Sequence, residues 1–267
     1  MNKTTELARK IRIHTLEMAN RARTSHIGSC LSCADILAVL YGKVMKYRTQ
    51  EPEWESRDRF ILSKGHAGSA LYATLAECGF FPVEKLETHC RSGSELLGHV
   101  SHLIPGVEAS TGALGHGLPI GCGIALAVKR RVFVLLSDGD LNEGSTWEAV
   151  MFAGQHKLHN LTVIVDYNRV QCIGKSEDIM DLGKLAEKWE PFGWRTADVN
   201  GHDVHRLEVV LMNHPGWDRR PICVVAHTIK GKGVSFMENE VGWHFKSPSD
   251  AELEEALKEL AGRRIRK

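Results

Sequence analysis

Three carboxylates and an amide fall within six residues in the stretch LSDGDLNEGSTWEAV, residues 136–150: Asp138, Asp140, Asn142 and Glu143. Such crowding of negative charge is costly unless a cation or water compensates it. The spacing Asp138-x-Asp140-x-Asn142 opens like a calcium loop. That loop needs Gly at its sixth position and Glu at its twelfth, where Glu143 and Ala149 stand, so the calcium-loop reading fails. Asp138 lies just past the apolar run 132–136, and Asn168 lies just past a second run, 161–166. If these runs are parallel neighbours, both residues open on one sheet edge, about 5 Å apart. A carboxylate oxygen, an amide oxygen and a nearby backbone carbonyl are hard donors. They supply half an octahedral shell suited to Mg²⁺ or Ca²⁺, completed by water and a ligand's phosphates. The N-terminus of the following helix adds amide donors for an anion. An acidic turn that merely caps this helix remains an alternative.

Histidine is the second chemical signal. Of fourteen, His26, His66 and His99 sit in or beside glycine-containing loops, where a ring can face a cleft and exchange protons near neutral pH. Any one of them could equally be a surface or core histidine. The glycines 112, 115, 117, 121 and 123 neither match G-x-G-x-x-G nor follow a clear strand, which disfavours a nicotinamide-dependent oxidoreductase.

The elements that must position these residues read as an α/β pattern. Apolar runs at 132–136, 161–166 and 222–226 predict buried strands, and 60–62 is a shorter apolar segment within a polar stretch. Helical periodicity predicts helices near 3–22, 32–46, 66–78, 118–129 and 143–158, the last with Trp147, Val150, Met151, Gly154 and Leu158 on one face. Strand, helix, strand implies parallel pairing through a right-handed crossover. Residues 89–117 read as a long functional loop. Ser249 with Glu252 forms a capping box that opens a last helix near 250–261. No domain boundary stands out, so residues 1–267 are expected to form one α/β domain, a central mostly parallel sheet flanked by helices.

At 267 residues the chain can bury a large core, and 43% hydrophobic with 25% charged residues is ordinary for a globular protein. A net charge of +1 gives no reason to expect nucleic acid or an acidic membrane as partner. The basic cluster Arg263, Arg264, Arg266 and Lys267 reads as a solvated tail. No apolar run approaches the ~20 residues of a membrane span, and the N-terminus lacks a secretory pattern. Seven scattered cysteines do not form a disulfide framework, so a cytoplasmic location is expected. Cys30-x-x-Cys33 lacks a second ligand pair and a preceding strand, and reads as buried structural thiols.

With Asp138-Gly139 and Asn168 placed, the chain resembles the N-terminal, diphosphate-binding half of transketolase along nearly its whole length. The stretches LSKGHAGSALYA, PGVEASTGALGHG, SDGDLNEGSTWEA and KGKGVSFMENEVGWHF carry the resemblance, in order and at fitting separations. It implies a thiamine diphosphate-binding fold and Mg²⁺, with Ca²⁺ or Mn²⁺ as substitutes, held by Asp138, the side chain of Asn168 and the carbonyl of Val170. It implies that Gly139, Asn168, His66 and His244 meet the cofactor's diphosphate end, and that Gly112, Ala113 and Leu114 touch the cofactor. His26, His99 and His244 would line the substrate channel and move protons as a ketose is cleaved.

The resemblance also implies what is missing. The glutamate that activates the cofactor, and most of the sugar-phosphate contacts, belong to the pyrimidine-binding half supplied across a subunit interface. The expected function is therefore the N-terminal subunit of a two-component transketolase. It would transfer a two-carbon ketol unit from a ketose phosphate to an aldose, partnered by a C-terminal subunit in an α₂β₂ assembly. A non-catalytic binding module that keeps the fold or the metal–diphosphate site is the alternative, because Ser137, His116, Tyr167 and Phe245 depart from the family pattern and the link 129–131 is short. Glu143 and Glu148 would communicate across a subunit interface by resemblance, or form a solvated helix start.

Overall fold

The computed structural model describes residues 3–212 and 218–262, so His214 and the basic cluster at 263–267 lie outside the described residues. Five strands form one sheet in the order β1-β2-β3-β5-β4, with every pairing parallel. They are β1 (Arg59–Leu62), β2 (Val132–Ser137), β3 (Leu161–Tyr167), β4 (Arg195–Asn200) and β5 (Ile222–His227). The α/β architecture is the expected one.

The three central strands are legible because they are buried on both faces. Phe133, Leu135, Ile164 and Val224 face one apolar cluster, and Val134, Leu136, Val163 and Val225 face another. Parallel sheets covered on both sides read as continuous apolar runs. β4 carries no such run. It is the edge strand, its Arg195, Thr196, Asp198 and Asn200 are not buried, and sequence periodicity does not single it out. β1, the other edge, has four residues and holds the short apolar segment 60–62 noted within the polar stretch.

The first cluster is closed by α1 (Lys3–Ala22), α3 (Ala34–Val39), α4 (Gly68–Glu77) and α9 (Val204–Met212); α2 (Ile27–Ser32) precedes α3. The helix expected near 32–46 is a correction. The chain turns helical at Ile27, breaks at Cys33 (φ −89°, ψ 1°), resumes, and ends in a wide π-turn at Leu40–Val44. Every residue from Ile27 to Tyr41 is buried, so no polar face marks where one helix stops and the next starts. Cys30 and Cys33 are free and buried there.

The opposite face is covered by α5 (Gly117–Ala127), α6 (Gly144–Gln155) and α8 (Leu185–Trp189), the last preceded by the short α7 (Ser176–Ile179). In α6 the buried face is Thr146, Ala149, Val150 and Ala153, and Met151 is 49% exposed, contrary to the expected face. A 3-4 helical spacing through Val150 leaves Met151 about 100° off the stripe. The closing helix α10 (Asp250–Leu260) starts with the expected capping box, Ser249 accepting from Glu252 N and Glu252 from Ser249 N. Among the described residues no helix is long and apolar enough to cross a membrane.

Candidate active site

β2 and β3 are hydrogen-bonded neighbours with Ser137 opposite Asp166, so Asp138 and Asn168 emerge on the same carboxyl edge of the sheet. They line a cleft of about 190 Å³ together with Gly139, Val170, Gly112, Leu114, His26, His66, His99 and His244. All but one of the residues that the resemblance assigns to metal, cofactor or substrate thus meet in one place. Ala113 is the exception; it is exposed and absent from the lining. A larger hollow of about 660 Å³ lies next door and shares Asn168 and Val170, and its other walls include exposed residues such as Lys175 and Asn239.

Asp138 is nearly fully buried, its carboxylate met by the Ser176 hydroxyl. Burial pushes its pKa up, and among the described residues no cation pairs with it. Asn168 Oδ1 accepts from Val170 N at 3.1 Å, which folds the loop back over the strand end. The carbonyl of Val170 accepts from Lys230 Nζ at 2.8 Å. Among the described residues no group of three His, Cys, Asp or Glu could hold a metal ion. A cation here would rest on one carboxylate and neutral oxygens, a donor set that suits a hard ion sharing a phosphate ligand.

Asp140, which sequence left without a role, is fully buried and turned away from the cleft. It accepts from Ser63 Oγ at 2.7 Å, Gly115 N at 3.0 Å, Ser137 N at 2.8 Å and Ser137 Oγ at 2.9 Å. It clamps the turn after β2 to the end of β1 and to the glycine-rich loop. Ser137 is half of that clamp, so its departure from glycine adds a hydrogen bond and leaves Asp138 in place. Glu143 and Glu148 are exposed.

The loop carrying Gly112 is drawn in by a close approach. A Cβ on Gly65 would stand 2.2 Å from the Thr111 carbonyl, so only glycine lets the His66 segment lie against it. A Cβ on Gly112, at φ +156°, would press on the His99 ring at 2.8 Å.

His26 is the hub of the imidazoles, with ring centroids 5.3 Å from His66, 5.5 Å from His99 and 4.9 Å from His244. Burial and the neighbouring His99, Lys230 and Lys64 lower His26 to about 4. Burial and Lys230 lower His244 to about 3, and burial with Lys64 holds His66 well below its ordinary value. These three rings are neutral at pH 7.

Two buried lysines account for that positive potential, and sequence reasoning missed both. Lys230 Nζ faces three acceptors: Val170 O, Gln171 O at 3.2 Å and His244 Nδ1 at 3.1 Å. An ammonium has three protons and no lone pair. His244 Nδ1 therefore accepts, and its proton sits on Nε2. Burial lowers Lys230 to about 8. Lys64 is paired with Asp166, both completely buried, and Ser32 and Thr228 also donate to Asp166. Burial opposes the charge on Lys64, yet the Asp166 carboxylate outweighs it and the pKa is raised. Lys64 also donates to the Ser29 carbonyl at 3.0 Å, and the Ser29 hydroxyl bonds His66 Nε2 at 2.9 Å. A lysine in a sequence normally signals solvent. Only the stretches LSKGHAG and KGKGV around these two hint otherwise.

The sequence profile described as transketolase, thiamine diphosphate binding domain, matches residues 3–264. The chain belongs to this family. It is 39% identical over 259 residues to an apulose-4-phosphate transketolase subunit of Phocaeicola vulgatus, covering 95% of this chain and 92% of that one. It is 37% identical to the 6-deoxy-6-sulfo-D-fructose transketolase subunit of a Clostridium species, covering 95% and 94%. The transketolase crystal structure from Campylobacter jejuni superposes with a TM-score of 0.91 at 30% identity over 98% of this chain, which spans 43% of that chain.

The transketolase-family cleft fits thiamine diphosphate on its own geometry. Gly139 leaves open the space beside Leu114, whose Cδ1 would be 3.0 Å from an added Cβ. Lys230 would offer positive charge to a diphosphate, and Asp138 with Asn168 would offer oxygen donors to its cation. Two departures noted in the sequence stand at the margins. His116 is exposed with Nδ1 on the Leu114 carbonyl, and Phe245 is 63% exposed with its ring 5.1 Å from His244.

Proposed function

We propose that this chain is the diphosphate-binding subunit of a two-component transketolase that moves a two-carbon ketol unit from a ketose phosphate to an aldose. One observation supports this reading: the cleft joins Asp138, Gly139 and Asn168 to the neutral rings of His26, His66 and His244, and Asp138 is its only carboxylate among the described lining residues. Asp138, Asn168 Oδ1 and the Val170 carbonyl would hold Mg²⁺, and Gly139, His66, His244 and Lys230 would receive the diphosphate. Thiamine diphosphate, when bound, would supply the carbon nucleophile for making and breaking the bond beside a carbonyl. His26, His99 and His244 then orient substrate hydroxyls and take up or return their protons.

A carboxylate to activate the cofactor must come from elsewhere, because Asp138 lies at the opposite end. Relatives that match over nearly their full length and are named as transketolase subunits, and the span of 43% of a one-chain transketolase, support a separate pyrimidine-binding partner. The exposed Ile120, Leu126, Met151 and Phe152 on α5 and α6 offer an apolar face for self-association in an α₂β₂ complex. Seven free cysteines fit a reducing cytoplasm. The Phocaeicola and Clostridium relatives act on different sugars by their names, so the sugar itself is left to assay. The purified chain should bind thiamine diphosphate with Mg²⁺ and turn over ketose phosphate and aldose once a candidate partner is added. A stable complex that binds the cofactor yet transfers no ketol unit from any donor tried would leave only the binding-module reading.

A further inference from the structure

Beside His26 stands a hydroxyl that no part of the proposed chemistry uses. Ser25 Oγ lies 3.0 Å from His26 Nδ1. His26 is held in the left-handed region at φ 71°, and its N–H donates to the His244 carbonyl at 2.9 Å. Backbone held this way in a non-glycine residue is strained and persists only where its surroundings fix it. The ring is thus anchored at its backbone and at Nδ1, and the orientation of Nε2 follows.

Two hollows meet at this ring. Ser25 lines only the outer one, of about 360 Å³, and Lys230 lines only the inner cleft, whereas His26, His66 and His99 line both. A hydroxyl can donate or accept, so Ser25 alone permits either tautomer. The surroundings bias the choice, and the hydroxyl, as acceptor for Nδ1–H, completes it. Lys230, with its ammonium group, lines the inner side, where a lone pair is favoured and an N–H is repelled. His244 has the opposite arrangement, since Lys230 holds its Nδ1 as an acceptor.

We infer that Ser25 is a positioning residue that keeps the His26 proton on Nδ1 and turns the Nε2 lone pair into the cleft. His26 and His244 then present a matched acceptor and donor, preset before any ligand enters, to neighbouring oxygens of a hydroxy-carbonyl or polyol chain. The meaning of this pair rests on the ketol-transfer reading; its test does not.

The test is a long-range ¹H–¹⁵N correlation spectrum of the ring nitrogens in the ligand-free, full-length chain, as wild type, Ser25→Ala and Ser25→Thr. In the wild type, His26 should show a protonated Nδ1 and a bare Nε2, and His244 the reverse. Ser25→Ala should move His26 to a mixture of tautomers, and Ser25→Thr, which keeps the hydroxyl, should retain the wild-type pattern. In the complete enzyme Ser25→Ala should lower kcat about 10-fold or more with cofactor affinity unchanged, as a positioned proton acceptor contributes about 10²–10⁴-fold. A wild-type His26 protonated on Nε2 overturns the inference without any variant, and so does a tautomer that Ser25→Ala leaves unmoved. The expected nitrogen pattern in a complex without ketol transfer would sink the functional reading alone.

Discussion

Replacing Lys64 by methionine tests whether the buried pair beneath the cleft holds it together. Lys64 and Asp166 are both wholly buried, and Asp166 also receives the hydroxyls of Ser32 and Thr228. Removing one partner of such a pair costs about 3–5 kcal/mol, because the other charge stays buried without compensation. Methionine conserves most of the volume and the two hydroxyls still donate, so the lower end, ~3 kcal/mol, is expected. A chain of this size has an m-value of ~2–3 kcal/mol/M in urea, so the midpoint should fall by about 1–1.5 M.

The loss should depend on pH in a definite sense. In the wild type Lys64 holds Asp166 below its ordinary value despite burial, so that contribution is present above about pH 4 and disappears as pH falls through the depressed value. The raised Lys64 contributes below about pH 10 and loses its contribution only as pH rises through its folded value. The wild-type pair is therefore intact across the neutral range. Without Lys64, burial drives Asp166 above the usual carboxylate range, where it can take up a proton and become tolerable. The deficit of Lys64→Met should be largest near pH 8 and shrink towards about pH 5. Replacing both partners, Lys64→Met with Asp166→Leu, should recover much of the stability. Tryptophan fluorescence during urea unfolding reads the wild type and both variants. A midpoint shift of Lys64→Met under about 0.3 M near pH 8, or one that grows on acidification, would refute the argument.

Other perturbations separate site from scaffold. Burial raises Asp138, so the folded chain binds its proton more tightly than the unfolded chain, and stability without ligand declines as pH rises between the two values. Asp138→Asn should therefore raise the thermal midpoint of the ligand-free chain near pH 7 while abolishing the Mg²⁺-dependent stabilisation by thiamine diphosphate; a lowered midpoint contradicts this. Burial raises Cys30 and pushes Cys33 up to about 12. Iodoacetamide should label the exposed Cys90 and the cleft residue Cys172 and spare Cys30 and Cys33, and cofactor with Mg²⁺ should slow only Cys172. Mass spectrometry of the labelled peptides decides, and equal protection of Cys90 and Cys172 speaks against this site. Gly65→Ala places a Cβ 2.2 Å from a backbone oxygen and should destabilise by about 3 kcal/mol or more, measured by urea unfolding.

The parts of this structure that are legible in the sequence share one physical property: their residues report a local environment. β2, β3 and β5 are sandwiched between two apolar layers, so nearly every side chain is apolar. β4 at the sheet edge needs no such composition, and nothing in its residues marks it as a strand. The same holds at the site. Asp138 and Asn168 stand out because each follows a legible strand and parallel pairing brings the strand ends together. Lys64, Asp166 and Lys230 do not, since their burial arises where the end of β3 meets the segments after β1 and β5, and no single segment records it. Asp140 shows the reverse error. Its place in the acidic knot suggests chemistry, and its four accepted hydrogen bonds make it a clamp.

That division bears on the proposed half-site. The neutrality of His26, His66 and His244 depends on burial together with Lys64 and Lys230, so the imidazoles owe their protonation state to residues that line no obvious motif. A cleft held positive and stripped of carboxylates other than Asp138 disfavours deprotonation by a group of its own, but welcomes an anion and any carboxylate brought to it. A glutamate built into this chain among those lysines and rings would pair with them and charge the histidines. Supplied by a partner on assembly, it would act only when the cleft is closed. On the proposed reading, a carboxylate brought by the partner would engage the cofactor and not the imidazoles, so that the rings stay neutral, and able to accept protons, in the assembled enzyme as well.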